Sequence, residues 1–105
     1  MDFLADEIND YAISHTSKEC DLLYELNRKT NTNVLLPRML SGHLQGRLLS
    51  MFSKMISPKR ILEIGTYTGY SAICMAEGLV DDAKLFTIDL NDELEDFVRS
   101  FFNKS

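Results

Sequence analysis

The stretch ILEIGTYTGYS, residues 61–71, decides how this chain folds. It begins with an apolar run that closely follows Pro58 and then enters a turn that holds two glycines. Because proline disfavours helix for the residue before it, the chain should change from helical to extended conformation at this point. We predict a strand over residues 60–64, a turn over 65–69 and a helix over 70–77, with Gly78 as its C-cap.

A second strand follows this helix. The segment KLFTIDL, residues 84–90, has strand composition, and an acidic-fronted helix should then run from residue 91 toward residue 102. A strand, a turn, a helix and a second strand within about thirty residues form a βαβ unit, whose crossover is right-handed in nearly all proteins. The sequence therefore predicts an α/β unit with two parallel strands.

The chain before Pro58 predicts helices only. Apolar residues recur at helical spacing over residues 2–14, 17–29 and 38–56, and Ser17 could cap the second of these helices. The run TNTNVLLP, residues 30–37, reads as a connector that ends the second helix.

Gly46 lies within the apolar stripe of the third helix. Glycine inside a helix costs about 1 kcal/mol relative to alanine, so a close approach by another backbone or a ligand is expected there. Together these patterns predict one domain over residues 1–105. It would consist of a helical region, 1–56, and a βαβ unit, 57–105.

Composition and charge narrow the class of protein. The chain is 45% hydrophobic and 26% charged, with a net charge of −5, and its eleven basic residues are scattered, which argues against nucleic-acid binding. No apolar stretch approaches the ~20 residues of a membrane span, and the acidic start lacks a signal peptide's basic region, so we expect a cytoplasmic protein. Cys20 and Cys74 share no metal-ligand or disulfide spacing and should be reduced thiols.

Acidic residues mark the carboxyl ends of both predicted strands. Ligands of parallel sheets bind beyond these ends, so Glu63, Gly65 and Asp89 should surround one crevice. Asp89 is placed where a carboxylate would accept hydrogen bonds from both hydroxyls of a ribose. A dinucleotide fold requires GxGxxG, but here Tyr67 and Tyr70 occupy the space that a pyrophosphate needs. This disfavours a nicotinamide oxidoreductase.

The spacing GxxxG instead suits a ligand that carries an ammonium and a carboxylate. Glu63 would face the ammonium. The ligand's carboxylate would lie at the start of the following helix, near its free N–H groups and the Ser71 hydroxyl.

Three segments resemble one known family: RMLSGHLQGRLL, ILEIGTYTGYSAICMA and LFTIDLN. They are similar to the metal-dependent O-methyltransferases of the catechol and caffeoyl-CoA type. The resemblance implies a Rossmann-like class I methyltransferase fold, a parallel-sheet α/β/α sandwich, with S-adenosylmethionine as methyl donor. This chain would carry the front part of that fold, so that residues 1–105 form a single, incomplete domain. It also implies a divalent metal, Mg²⁺, and a small catechol-like hydroxyl acceptor. Positions that match the family's cofactor contacts are Met39, Ser41, Glu63, Gly65, Tyr67, Ser71 and Asp89.

Within that resemblance, Met39 would lie near the sulfonium and Asp89 on the ribose. The family's metal ligands and catalytic base lie on later strands and loops, so this sequence predicts neither. Two hypotheses therefore stay open: the cofactor-binding part of an enzyme, or a non-catalytic module that binds S-adenosylmethionine or oligomerises. The first strand is apolar on both faces, which two strands cannot cover, so we expect a homo-oligomer, a domain swap or part of a longer protein.

Overall fold

The computed structural model describes residues 5–33 and 40–105. In chain order its elements are α1 (Asp6–Ser14), α2 (Asp21–Asn33), α3 (Gly42–Ile56), β1 (Arg60–Ile64), α4 (Tyr70–Ala76), β2 (Lys84–Ile88), a 3₁₀ turn (Asp92–Leu94) and α5 (Glu95–Phe102). No helix within these ranges is long and apolar enough to cross a membrane.

The two strands are parallel, as the sequence predicts. Arg60 lies opposite Lys84, and Ile64 lies opposite Ile88. The bounds of β1 match the prediction, whereas β2 ends at Ile88, two residues earlier than predicted. Because both strands run in the same direction, their carboxyl ends meet at one edge of the sheet, beside the loop 65–69.

The second helix differs most from the prediction. It begins at Asp21, so Ser17 does not cap it, and it continues to Asn33 through the run expected to end it. The polar side chains of that run bond to the helix itself: the Thr30 hydroxyl donates to the Leu26 carbonyl at 2.7 Å and the Asn31 amide to the Asn27 carbonyl at 2.8 Å. Side chains that satisfy carbonyls one turn earlier are compatible with a continuing helix.

The other helix ends need smaller corrections. The first helix begins at Asp6 among the described residues, and the predicted start at residue 2 lies outside them. The third begins at Gly42, and its predicted start at Arg38 also lies outside the described residues. Helix α4 ends at Ala76, one residue earlier than predicted.

Helix α4 packs against α3, and two glycines allow the close approach. A Cβ atom added to Gly46 would lie 2.7 Å from both the Cys74 Sγ and the Tyr70 Cε1. One added to Gly78 would lie 2.4 Å from the backbone carbon of Ser53. The close approach predicted at Gly46 is therefore made by side chains of α4. Gly78 does not have the positive φ of a left-handed cap and serves instead as a contact point with α3.

An ion pair also joins α3 to the end of α4. The Arg47 guanidinium donates to the Glu77 carboxylate at 2.6 Å and lies 3.6 Å from the Cys74 Sγ. Burial raises the pKa of the Cys74 thiol to about 11. Both Cys74 and Cys20 are free cysteines, as expected.

The core lies between α2, α4 and α5. Its buried members are Leu23, Leu26, Tyr70, Ile73, Cys74 and Phe101. Burial raises the pKa of the Tyr70 phenol, as does the Glu19 carboxylate to which the phenol donates a hydrogen bond. A buried polar contact also joins α2 to the loop 65–69, because the Thr30 hydroxyl lies 3.2 Å from that of Thr68.

The two faces of the sheet differ in exposure. Odd-numbered residues of both strands are half-buried on one face, and α4 packs against β2. The other face is exposed, although most of its residues are apolar: Leu62 is 64% exposed, Ile64 84%, Phe86 51% and Ile88 54%. Within the described residues, the apolar surface predicted for β1 is thus covered on one side only.

Candidate functional site

Asp89 lies just beyond the end of β2, and its carboxylate is oriented by backbone groups. The Tyr67 N–H donates to Oδ2 at 2.9 Å, and the Asn91 N–H donates to Oδ1 at 3.0 Å. These bonds hold the pKa of Asp89 below its ordinary value, and the bond from Asn91 contributes most. Because an ionised carboxylate has about four lone-pair positions, Asp89 keeps acceptor capacity for hydroxyl groups of a ligand.

The loop 65–69 brings its backbone close to this carboxylate. Gly65, Tyr67 and Gly69 have φ angles of 96°, 50° and 95°, in the left-handed region. Such a φ is uncommon for a residue other than glycine, and here the bond from the Tyr67 N–H to Asp89 holds that conformation. A Cβ atom added to Gly65 would have no neighbour within 4 Å. Gly65 therefore borders open space where a ligand can approach the backbone.

Two clefts adjoin this loop. One of about 320 Å³ lies between the loop, the end of β2 and α5. Its lining residues are Thr66, Tyr67, Thr87, Asp89, Asn91, Asp92, Leu94, Glu95, Val98, Arg99 and Phe102. A smaller one of about 60 Å³ lies on the α4 side of the loop. Its lining residues are Leu40, Ser41, Gly65, Thr66, Tyr67, Thr68, Tyr70 and Ser71. The larger cleft is in the size range of sites for small molecules.

Glu63 lies beneath the loop and is held by hydroxyl groups. Ser71 donates a hydrogen bond to its Oε2, and Thr87 donates to its Oε1 at 2.7 Å. The hydroxyl of Thr66 lies 2.6 Å from that of Thr87. Since Thr87 has one hydroxyl proton and gives it to Glu63, Thr66 must be the donor in that pair. The Ser71 hydroxyl therefore points to Glu63, and α4 has no side-chain cap at its start.

The structure brings most of the predicted site residues together. Ser41, Gly65, Tyr67 and Ser71 line the smaller cleft, and Asp89 lines the larger one with Tyr67. Glu63 joins them through its bond from Ser71. Met39, predicted to lie near a sulfonium, is outside the described residues.

Sequence reasoning missed Thr66 and Thr87. The strand register could have indicated Thr87, because Glu63 lies directly opposite it in the parallel pair. Side chains of opposite residues share a face, so a hydroxyl at position 87 is within reach of a carboxylate at position 63.

The described part of the chain offers no metal centre. Within residues 5–33 and 40–105, no group of three or more His, Cys, Asp or Glu side chains could hold a metal ion. The acids of the site are engaged by N–H and hydroxyl donors instead. The resemblance places the ligands of a divalent ion on later strands and loops, so the metal stays a prediction.

A parallel βαβ unit with a glycine loop beside two clefts and an oriented acid after its second strand is typical of a Rossmann-like α/β protein. The chain belongs to a family within that class: the family model described as O-methyltransferase matches residues 13–105. This confirms the resemblance indicated by the sequence segments.

Curated relatives include two plant enzymes. The chain is 34% identical over 76 residues to caffeoyl-CoA O-methyltransferase of Stellaria longipes, covering 72% of this chain and 31% of the relative. It is 45% identical over 49 residues to caffeoyl-CoA O-methyltransferase 2 of Petunia hybrida, covering 47% of this chain and 20% of the relative.

Solved structures show the same similarity in three dimensions. The SAH-bound methyltransferase PaMTH1 of Podospora anserina superposes with a TM-score of 0.85 at 32% identity, covering 94% of this chain and 43% of that one. The O-methyltransferase TomG of Streptomyces achromogenes, in complex with SAM, gives 0.80 at 28% identity, with 93% and 44% covered. The fold is that of Rossmann-like methyltransferases, and the chain spans less than half the length of these relatives.

Proposed function

We propose that this chain supplies the part of an O-methyltransferase that binds S-adenosylmethionine. The observation that carries the proposal is the ionised Asp89 carboxylate, fixed by the Tyr67 and Asn91 N–H groups beside the open space at Gly65. Two relatives support the proposal, because the structure of PaMTH1 contains SAH and that of TomG contains SAM.

Each part of the site would contact one part of the cofactor. Asp89 would accept hydrogen bonds from the ribose hydroxyls, with the nucleoside in the larger cleft. The backbone at Gly65 would pass beside the cofactor, while the amino-acid portion would enter the smaller cleft near Ser41 and Ser71. Glu63 would attract its ammonium group. When bound, the cofactor supplies an electrophilic methyl group on its sulfonium, and the residues of this chain bind and orient it.

The methyl acceptor that we propose is a hydroxyl of a small catechol-like compound. The family description and the names of the plant relatives support transfer to oxygen. Among the residues that the structure describes, no group of three or more His, Cys, Asp or Glu side chains could hold a metal ion. We propose that this chain contributes donor binding, while acceptor binding and proton removal are the work of other groups.

We expect the chain to bind S-adenosylhomocysteine (SAH) but to transfer no methyl group by itself. The test combines isothermal titration with SAH and a methyl-transfer assay with S-adenosylmethionine and a catechol acceptor. A full-length plant relative serves as the positive control for turnover. Turnover by this chain would contradict the assignment to donor binding alone and exclude the alternative of a non-catalytic module. Absence of SAH binding would overturn the proposed function itself.

We further propose that the exposed sheet face pairs with a second copy of the chain. Leu62, Ile64, Phe86 and Ile88 form an apolar patch of the kind that marks interaction sites. Arg60 and Lys84 share this face at the amino ends of the strands, whereas acidic residues follow the carboxyl end of β2. A two-fold axis that lies in the interface, perpendicular to the strands, would place the basic end of one copy near the acidic end of the other.

Self-association should disappear when this face carries a charge. We expect the chain to be a dimer in light scattering and the variant Ile64→Lys to be a monomer, because a buried unpaired charge is strongly unfavourable. Ile8→Lys on α1 is the matched control, since Ile8 is also exposed, at 58%, but lies away from the sheet. A monomeric wild-type chain with a cooperative melting transition would contradict the proposal.

A further inference from the structure

We propose that Thr87 is a positioning residue, which holds the Glu63 carboxylate in one orientation toward the amino-acid portion of the cofactor. This inference rests on the proposed function. Thr87 lies opposite Glu63 in the sheet register, and its hydroxyl donates to Oε1 at 2.7 Å. The position lies on the half-buried face of β2, two residues before Asp89, so one strand would serve both the ribose and the ammonium ends of the ligand.

The direction of the hydrogen bonds supports this role. Thr66 donates to Thr87, and Thr87 donates to Glu63, so the chain of hydroxyls ends on the carboxylate. Ser71 donates to the other oxygen from α4. Each carboxylate oxygen therefore has one fixed donor, and the two donors come from different elements. This fixes the plane of the carboxylate and leaves about two acceptor positions free for a ligand.

The charge on Glu63 also lacks a cationic partner within the described chain. None of the ion pairs formed by residues 5–33 and 40–105 includes Glu63. Hydroxyl donors orient a carboxylate but do not neutralise it. A bound ammonium group would supply the missing positive charge, and its interaction with Glu63 depends on distance and angle, which Thr87 sets.

The inference can be tested by comparing two ligands. SAH carries the amino-acid portion, whereas 5′-methylthioadenosine carries the same nucleoside without it. We expect Thr87→Val, which keeps the shape and removes the hydroxyl, to weaken SAH binding about 10-fold in isothermal titration. Binding of 5′-methylthioadenosine should weaken much less, because Thr87 lines the larger cleft but its hydroxyl proton is given to Glu63. Thr87→Ser keeps the donor and should restore the affinity for SAH.

A control variant separates positioning of Glu63 from general destabilisation of the fold. Thr30→Val is that control, because Thr30 is a buried threonine whose hydroxyl bonds do not reach Glu63. It should lower the melting temperature and leave the ratio of the affinities for SAH and 5′-methylthioadenosine unchanged.

Different results would count against the role of Thr87 and against the proposed function. Equal weakening of both ligands by Thr87→Val, or unchanged SAH binding, would overturn the role of Thr87 while leaving the proposed function intact. Failure of the wild-type chain to bind either ligand would overturn the proposed function. If Thr87→Val does not fold, Thr66→Val tests the same hydroxyl chain one step earlier. Thr66 lines both clefts, so this variant should weaken binding of both ligands but that of SAH more strongly, and equal weakening of the two would again contradict the proposal.

Discussion

Replacing Asp89 with alanine should lower the affinity for SAH by about 100-fold, because each hydrogen bond to a charged group contributes about 1.5–3 kcal/mol. The substitution removes the acceptor proposed for both ribose hydroxyls. It also frees the Tyr67 N–H, which Asp89 holds at 2.9 Å. Asp89→Asn keeps one acceptor oxygen and should lose about 10-fold in affinity. Isothermal titration with SAH measures both variants.

The control for Asp89 is Glu93→Ala. Glu93 lies in the same exposed segment after β2 but does not line either cleft near the loop, and its removal changes the net charge equally. If Glu93→Ala weakened binding as much as Asp89→Ala, the effect would come from charge alone, and the specific role of Asp89 would be wrong.

The pH dependence of the Asp89 contribution follows from the direction of its pKa shift. The N–H donors lower its pKa from the ordinary value of 3.8. A group whose pKa is depressed in the folded state contributes stability that is present above its unfolded pKa. That contribution is lost as pH falls through the lower, folded pKa. Because Asp89 also stays ionised over this range, it can accept hydrogen bonds from a ligand at any pH above its ordinary pKa. SAH binding through Asp89 should therefore be constant from neutral pH down to that value and fall only below it.

Replacing Gly78 with alanine should reduce the free energy of unfolding by about 3 kcal/mol, the upper range for overpacking of a tight contact. The added methyl group would lie 2.4 Å from the Ser53 carbon and 2.5 Å from the Lys54 nitrogen. Both are backbone atoms of α3, so the helix itself must move. Thermal or denaturant unfolding monitored by circular dichroism measures the loss.

Gly46→Ala provides the matched comparison within the same pair of helices. Its added methyl group would meet the side chains of Cys74 and Tyr70 before any backbone atom of another element. Alanine also gains about 1 kcal/mol of helix propensity over glycine, so a net loss of about 1 kcal/mol is expected. If Gly78→Ala proved no more destabilising than Gly46→Ala, backbone contact at Gly78 would not control the spacing of α3 and α4.

Local signals made the βαβ unit predictable. Pro58, the apolar run of β1 and the two glycines of the loop each determine backbone conformation within a few residues, and the structure confirms the strand and the turn. Asp89 could be placed by the same logic, because an acid at the end of a parallel strand must lie at the ligand edge of the sheet.

Features that depend on tertiary neighbours could not be predicted from such signals. The extension of α2 to Asn33 depends partly on the burial of Thr30 against Thr68, 38 residues away. The role of Gly78 depends on the approach of α3, which no local pattern indicates. The hydroxyl donors to Glu63 come from β2 and α4, so they become visible only once strand register and helix position are known.

In both strands, even-numbered and odd-numbered residues lie on opposite faces of the sheet and should have different roles. Even-numbered positions of both strands face the exposed side, and odd-numbered positions face the helices and the site. Substitutions at even positions should thus report on assembly, and those at odd positions on the ligand. A one-residue insertion or deletion in either strand would exchange the two sets, moving Glu63 or Thr87 to the outside. The number of residues in each strand is therefore constrained as tightly as the identity of those residues.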